Sequence, residues 1–311
     1  MIGIIGAGAF GGALAIALGA KQPVILWGRA QSGREIARLP GAKLPAEVTV
    51  AADVAMVAQA ETVLLALPAQ AMGRFLAEHG ATLQGRKLVA CCKGVDLSTG
   101  LGPTGVIAAH CDRATAAILT GPSFAADIAK GLPTALTLAC ADDAAGEALQ
   151  QQLSTDVLRL YRTTDVTGAE FGGALKNVVA IAAGVVMGAG LGESARAALM
   201  TRGFAEMKRL AQHLGARPDT LSGLSGFGDL VLTCTSDQSR NYRFGAALGA
   251  GAGFDASVTV EGVATAQAVA TLSRKHAIEM PVTQMVAALT QQKIKLEDAI
   301  RALMSRPLKQ E

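Results

Sequence analysis

Charged and aromatic side chains are both scarce in this chain. Asp, Glu, Lys and Arg make up only 17% of its 311 residues, and aromatics supply 4%. A charged fraction below the roughly 25% of an average globular protein excludes a disordered, solvating polypeptide. With so few large rings, the core is expected to be Ala, Val, Leu and Ile at close backbone spacing. The formal charge of +3 is too weak for a nucleic-acid footprint, though compatible with attracting small anions. The five cysteines are odd in number and lack CxxC spacing. With four scattered histidines they make no ligand pattern, so no metal is expected. Met1-Ile2-Gly3-Ile4-Ile5 enters an apolar run without a basic n-region. The apolar run 178–191 is shorter than the roughly 20 residues that span a bilayer, and Gly184, Gly188 and Gly190 interrupt it. These absences point to a soluble, cytoplasmic protein. What the chain has in excess is glycine, with 36 residues.

Short apolar runs and helical patterns alternate through the first half. Strands are expected at 2–5, 24–27, 48–50, 63–67, 87–91, 116–119, 134–140 and 157–161. Most are apolar throughout, which suits a parallel sheet covered on both faces. Helical segments at 11–19, 69–78 and 142–153 separate several of them, as in a doubly wound sheet with right-handed crossovers. Beyond Thr167 the period becomes helical, over 169–191, 194–214, 238–248, 264–275, 282–290 and 295–305. The expected architecture is α/β: an N-terminal doubly wound, Rossmann-type, mostly parallel sheet over 1–165, then an all-α domain over 166–311.

Gly6-Ala7-Gly8-Ala9-Phe10-Gly11 is a GxGxxG that follows the first strand and opens a helix, the arrangement of a dinucleotide site. Gly6 permits the tight turn, Gly8 lets a pyrophosphate approach the backbone, and Gly11 lets helix and strand pack closely. The first turn, with Ala9 and Phe10, presents free N–H groups to the anion. An NAD site usually carries an acid at the end of the second strand; here the run is Leu26-Trp27-Gly28-Arg29. Arg29 either pairs with a 2′-phosphate or is an ordinary solvated charge. The first reading favours NADPH over NADH.

In the helical half, Lys176-Asn177 interrupts an almost wholly apolar helix. A desolvated lysine has a lowered pKa and serves as an acid or base near neutrality; the bland alternative is an edge lysine reaching water. Gly226-Phe227-Gly228-Asp229 sets an acid on a glycine-rich turn, and Ser239-Arg240-Asn241 opens a helix with donors suited to a phosphate monoester. Cys234 reads as a small buried apolar residue, because no histidine lies near it in sequence.

Taken together, these motifs resemble the bacterial-type NAD(P)-dependent glycerol-3-phosphate dehydrogenases. The resemblance runs through nearly the whole chain. It rests on Gly6–Gly11, Lys93-Gly94, Gly121-Pro122-Ser123-Phe124-Ala125, Leu132-Pro133-Thr134, Gly172 to Asn177, Thr201-Arg202-Gly203, Gly226 to Leu230, Thr233-Cys234-Thr235, Gln238 to Asn241, Val260-Glu261-Gly262 and Glu279-Met280-Pro281. It implies reversible reduction of dihydroxyacetone phosphate to sn-glycerol 3-phosphate with NADPH or NADH, supplying glycerophospholipid synthesis. By the same resemblance, Lys176 exchanges a proton with the carbonyl oxygen, Lys93 faces cofactor and substrate, and Asp229 orients a lysine or a substrate hydroxyl. Ser239, Arg240 and Asn241 cradle the substrate phosphate, with Arg240 also near the cofactor. Gly121 and Ser123 border the substrate, Ala125 borders the nicotinamide, and Val260 and Glu261 close over the cofactor. Where the family often has Ser, this chain has Ala9, so a hydroxyl contact to the pyrophosphate is absent while backbone contacts remain.

A β-hydroxyacid or ketopantoate-type dehydrogenase is the alternative enzyme. It shares the two-domain plan and a helix lysine, but its carboxylate substrate has no need of Ser239-Arg240-Asn241. A non-catalytic dinucleotide sensor, in turn, has no need of Lys93 and Lys176. The weak charge and apolar helices are compatible with a homodimer and a small-molecule substrate.

Overall fold

The computed structural model describes residues 1–304. In the first half, β1 (Ile2–Ile5), β2 (Val24–Trp27), β3 (Val48–Val50), β4 (Thr62–Leu65), β5 (Lys87–Ala90), β6 (Thr115–Thr120), β7 (Thr134–Cys140) and β8 (Leu158–Thr163) form one sheet in the order β3-β2-β1-β4-β5-β6-β7-β8. β1, β4 and β5 are buried almost end to end, as expected of strands covered on both faces. α1 (Ala9–Gly19), α5 (Ala125–Ala129) and α6 (Asp143–Leu153) lie on one side, while α2 (Val54–Val57), α3 (Ala69–His79) and α4 (Pro103–His110) lie on the other. The mostly parallel doubly wound sheet agrees with expectation.

The direction of the last two strands does not follow from periodicity. β7 runs antiparallel to β6, and β8 is parallel to β7. Between β6 and β7 the chain has room only for the short α5, not for a full crossover, so it turns back directly. The expected strand 157–161 shifts to Leu158–Thr163, because Thr134–Cys140 offers a longer ladder to pair with.

The second half packs α8 (Glu193–His213), α9 (Pro218–Ser222), α10 (Asp229–Cys234), α11 (Arg240–Gly249), α12 (Glu261–Lys275), α13 (Pro281–Thr290) and α14 (Leu296–Met304) around or beside α7 (Val166–Gly188). The Asp165 side chain caps α7 by accepting the Gly168 N–H at 2.8 Å. α7 is long and apolar enough to cross a bilayer, but 89% of its most apolar window is buried inside the protein; it is the axle of this half. The expected helix 295–305 is seen as Leu296–Met304, and its last residue, Ser305, lies outside the described residues. α2, α4, α5, α9 and α10 were not foreseen, each being too short for a clear helical period.

α7 and α11 touch backbone to backbone. A Cβ at Gly184, Gly188, Gly245 or Gly249 would collide with a main-chain carbonyl of the opposite helix. This contact sets the height of the α11 N-terminus, and so of Arg240 and Asn241, relative to Lys176. Gly245→Ala forces the helices apart, and overpacking of this kind costs about 1–3 kcal/mol. A urea titration is expected to show that loss, while Gly253→Ala, where a Cβ meets nothing within 4 Å, leaves the midpoint unchanged.

Candidate active site

The glycine loop has the geometry its sequence predicts. Gly6 takes φ +111°, where a side chain is strained, and donates its N–H to the Trp27 carbonyl at 2.8 Å. A Cβ at Gly11 would strike the Gly6 carbonyl, whereas one at Gly8 meets nothing within 4 Å. The backbone is therefore open at Gly8, where α1 begins with Ala9 and Phe10 and its first N–H groups lack helical partners. These features fit the pyrophosphate of a dinucleotide. Beyond the end of β2 lies a cavity of about 510 Å³, lined by Trp27, Arg29, Ser32, Val50 and Ala52 among others. Arg29 is exposed there and no carboxylate lines the cavity.

At the ends of β5 and β6, three residues from distant parts of the chain converge. Lys93 follows β5, Lys176 lies midway along α7, and Asp229 opens α10. One carboxylate oxygen of Asp229 accepts Lys93 Nζ at 2.6 Å, and the other accepts Lys176 Nζ at 2.6 Å. Lys93 also donates to the Gly121 carbonyl at 2.9 Å, and Lys176 to Thr233 Oγ1 at 2.7 Å. Asp229 is fully buried, and the Lys176 and Lys93 side chains are 7% and 15% exposed. Lys176 is therefore no edge lysine reaching water. Burial lowers its pKa to about 8, with Asp229 opposing the shift and Lys93 adding to it.

Local structure explains the convergence. Residues Leu224–Gly228 form a π-helical turn that leads into α10, rather than an open glycine turn. A Cβ at Gly226 would collide with the Leu221 carbonyl, and one at Gly172 would sit 2.6 Å from the Ser225 carbonyl. Both glycines let the turn lie flat on α7. At Gly173 a Cβ would meet the Thr120 hydroxyl at 2.5 Å and Lys93 Cγ at 3.3 Å, so this glycine admits the Lys93 stem.

The remaining predicted residues fall around this centre with differing freedom. Ser123 Oγ donates to the Gly121 carbonyl at 3.3 Å. Ser239 caps α11, accepting the Tyr242 N–H at 3.2 Å, and Arg240 is exposed at the first helical position. The Asn241 amide is committed on both ends: Nδ2 donates to Asn177 Oδ1 at 3.0 Å, and Oδ1 accepts the Gly262 N–H at 2.9 Å. It thereby stitches α7, α11 and α12 together. Val260 and half-buried Glu261 begin α12. Burial raises the Glu261 carboxyl, and the fields of Arg240, Lys93 and Lys176 oppose that rise. Ala125 opens α5 and packs with Ala9 and Phe10 against the sheet core. Cys234 is buried and its thiol is pushed up to about 12 by desolvation, which leaves it protonated and unreactive.

Three supporting residues carried no role from sequence. Thr233 sits one turn after Asp229, an i, i+4 spacing that puts both on one face. Gln70 holds the segment after Lys93, donating to the Val95 carbonyl at 2.8 Å. Glu170, on the Lys176 helix, accepts the Thr104 N–H at 2.7 Å and hydroxyl at 2.9 Å, tying α4 to α7.

Two family models match the chain: NAD-dependent glycerol-3-phosphate dehydrogenase N-terminus over residues 1–146 and the corresponding C-terminus over residues 165–301. The protein named glycerol-3-phosphate dehydrogenase, NAD(P)+, of Cereibacter sphaeroides is 68% identical over 311 residues, covering 100% of both chains. That of Paracoccus denitrificans is 62% identical over 314 residues, covering 100% of this chain and 99% of its own. The crystal structure of glycerol-3-phosphate dehydrogenase from Coxiella burnetii superposes with a TM-score of 0.92 at 34% identity, covering 98% of each chain.

The two ammonium groups depend on Asp229 to tolerate burial. Removing one partner of a buried ion pair typically costs about 3–5 kcal/mol. Asp229→Asn is expected to lower stability on that scale in chemical denaturation. The deficit should be larger at pH 6, where Lys176 is charged, than at pH 9, where it has lost most of its charge.

Proposed function

The chain belongs to the NAD-dependent glycerol-3-phosphate dehydrogenase family, and from that membership we propose how its cleft works. The reaction is the reversible reduction of dihydroxyacetone phosphate to sn-glycerol 3-phosphate with NADPH or NADH. The observation that carries the reading is the Asp229 carboxylate shared between Lys93 and Lys176, beside the exposed Arg240 on the α11 N-terminus. Gly6, Gly8 and Gly11 would hold the cofactor, which when bound would supply the hydride for the substrate carbonyl carbon.

The chain's own residues handle charge and proton. In this proposal the Lys176 ammonium donates its proton to the carbonyl oxygen and stabilises the alkoxide that develops there. Lys93, fixed by Asp229 and the Gly121 carbonyl, holds the substrate oxygens at the same centre. Asp229 keeps both lysines aimed, and Thr233 fixes the Lys176 head. Arg240, with the first N–H groups of α11, binds the substrate phosphate. With both amide ends engaged, Asn241 supports that cradle chiefly by fixing α11 against α7 and α12. Gly121, Ser123 and Ala125 border the reacting ends of substrate and cofactor, and Val260 and Glu261 cover the cofactor from the helical side. Arg29 reads a 2′-phosphate at the end of β2, which favours NADPH. The weak charge and apolar helices support a homodimer. Family membership supports a cytoplasmic enzyme feeding glycerophospholipid synthesis.

A carboxylate ketone such as ketopantoate separates this reading from its alternative. Protein mixed with NADPH is expected to turn over dihydroxyacetone phosphate and not ketopantoate; the opposite preference overturns the proposal. Lys176→Ala should lower kcat by at least about a hundredfold, the scale of a lost general acid, with cofactor binding retained. Because the proton donor is the ammonium form, kcat/KM for ketone reduction should fall as pH rises through about 8, and for glycerol 3-phosphate oxidation it should rise through the same range. Arg240→Ala should act mainly on KM for the phosphorylated substrate. Arg29→Ala should bring the NADPH to NADH ratio of kcat/KM towards unity, and an unchanged ratio removes Arg29 from cofactor choice.

A further inference from the structure

As a proton donor Lys176 uses its ammonium form; its free amine has a chemistry of its own. Two conditions turn a lysine into a nucleophile towards carbonyl carbon: an apolar, desolvated setting and a second cation close by. Both are met here. One turn before and after Lys176, Gly172, Gly173, Val179 and Ala180 are buried and carry no polar side-chain group. Lys93 shares the Asp229 carboxylate, so two ammonium groups compete for one counter-charge.

Hydrogen-bond partners set the two lysines apart. Lys93 Nζ donates to a carboxylate oxygen and to the Gly121 carbonyl; both groups only accept, which favours the ammonium form. Lys176 Nζ donates to the other carboxylate oxygen and to the Thr233 hydroxyl. A hydroxyl accepts and donates, so Thr233 can partner the free amine as well as the ammonium. Two of the three N–H positions of Lys176 are thereby occupied, and no third acceptor is found among the described residues. From that third position a proton reaches the substrate oxygen, and once vacated it holds the nitrogen lone pair.

We propose that the chain has a second activity: with no hydride donor bound, Lys176 condenses with the ketone of dihydroxyacetone phosphate to form a reversible imine. The proposal rests on the reaction assigned above, because it seats the same ketone and phosphate in the same cleft. The nitrogen lone pair forms an N–C bond while an electron pair of the C=O bond moves to oxygen. Lys93 relays the two nitrogen protons to that oxygen one at a time, and the oxygen leaves as water. Amine and ketone thus give imine and water, with no oxidant or reductant consumed.

The ionisable groups acting on Lys176 are Asp229 and Lys93, with Glu261 on α12 and Cys234 on α10 also in its field. Arg240 bears in turn on Glu261, and Arg196 of α8 on Cys234. Burial leaves the Lys176 pKa at about 8, so above that pH most molecules carry the lone pair.

Borohydride trapping tests the proposal. The full chain is incubated with dihydroxyacetone phosphate and no nicotinamide, reduced, and mapped by peptide mass. Reduction fixes the imine as a secondary amine, heavier than lysine by the mass of the substrate less one oxygen. A single adduct on Lys176 is expected, with NADPH-dependent turnover lost in step with labelling. Glycerol 3-phosphate, which has the phosphate but no carbonyl, should protect. Initial labelling should rise about tenfold per pH unit up to about 8 and then level off. No adduct, an adduct on Lys93 instead, or labelling spread over exposed lysines without protection each overturn the proposal. Turnover of dihydroxyacetone phosphate with NADPH is measured on the same preparation before trapping. Normal turnover without an adduct overturns the imine alone, whereas an adduct on Lys176 without turnover supports the imine and overturns the assigned reaction.

Discussion

A single carboxylate, that of Asp229, neutralises half the charge of two buried ammonium groups, one oxygen to each. Removing such ions from water costs several kcal/mol apiece, and attraction repays this only when the geometry is good and the remaining donors are satisfied. The structure meets that condition with the Gly121 carbonyl for Lys93 and the Thr233 hydroxyl for Lys176. One net positive charge remains in a nearly dry pocket, and an anionic substrate is its natural counterpart. Lys93 belongs to the sheet, Lys176 to the axial helix and Asp229 to the helix after the π turn. The triad thus ties the two halves of the molecule together at the centre of the candidate site.

Holding three distant segments at 2.6 Å leaves little room for side chains between them, and this accounts for much of the glycine. Gly172 and Gly173 let the π turn and the Lys93 stem lie against α7, and Gly226 closes the turn itself. Further along α7, two glycines face two more on α11, and the main chains meet without intervening Cβ atoms. The scarcity of aromatic residues has the same origin. A core packed at backbone distance has space for alanine and valine but seldom for rings.

Local signals carried a large part of this in the sequence. β1, β2, β3 and β7 occupy the expected residues, because an unbroken apolar run bounded by turn residues has few other uses in a chain of this kind. The glycine loop was legible for a similar reason: turn, pyrophosphate approach and helix start all lie within six consecutive residues. Lys176 stood out as the one ammonium in an apolar helix. Other features were silent. Nothing in the composition of Thr134–Cys140 tells which way it runs beside β6. Asn241 reads as a phosphate ligand from its place after Arg240, yet its amide is engaged by Asn177 and Gly262, residues 64 and 21 positions away.

By itself, then, the order of residues determined most of the element types, the glycine loop and which side chains are candidates for the chemistry, since each depends on neighbours within a few positions. The tertiary structure alone decided which oxygen of Asp229 faces which lysine, and that burial brings Lys176 to a pKa of about 8. Distance, dielectric environment and hydrogen-bond completion are set by segments meeting across tens to more than a hundred residues of chain, and no local pattern records them.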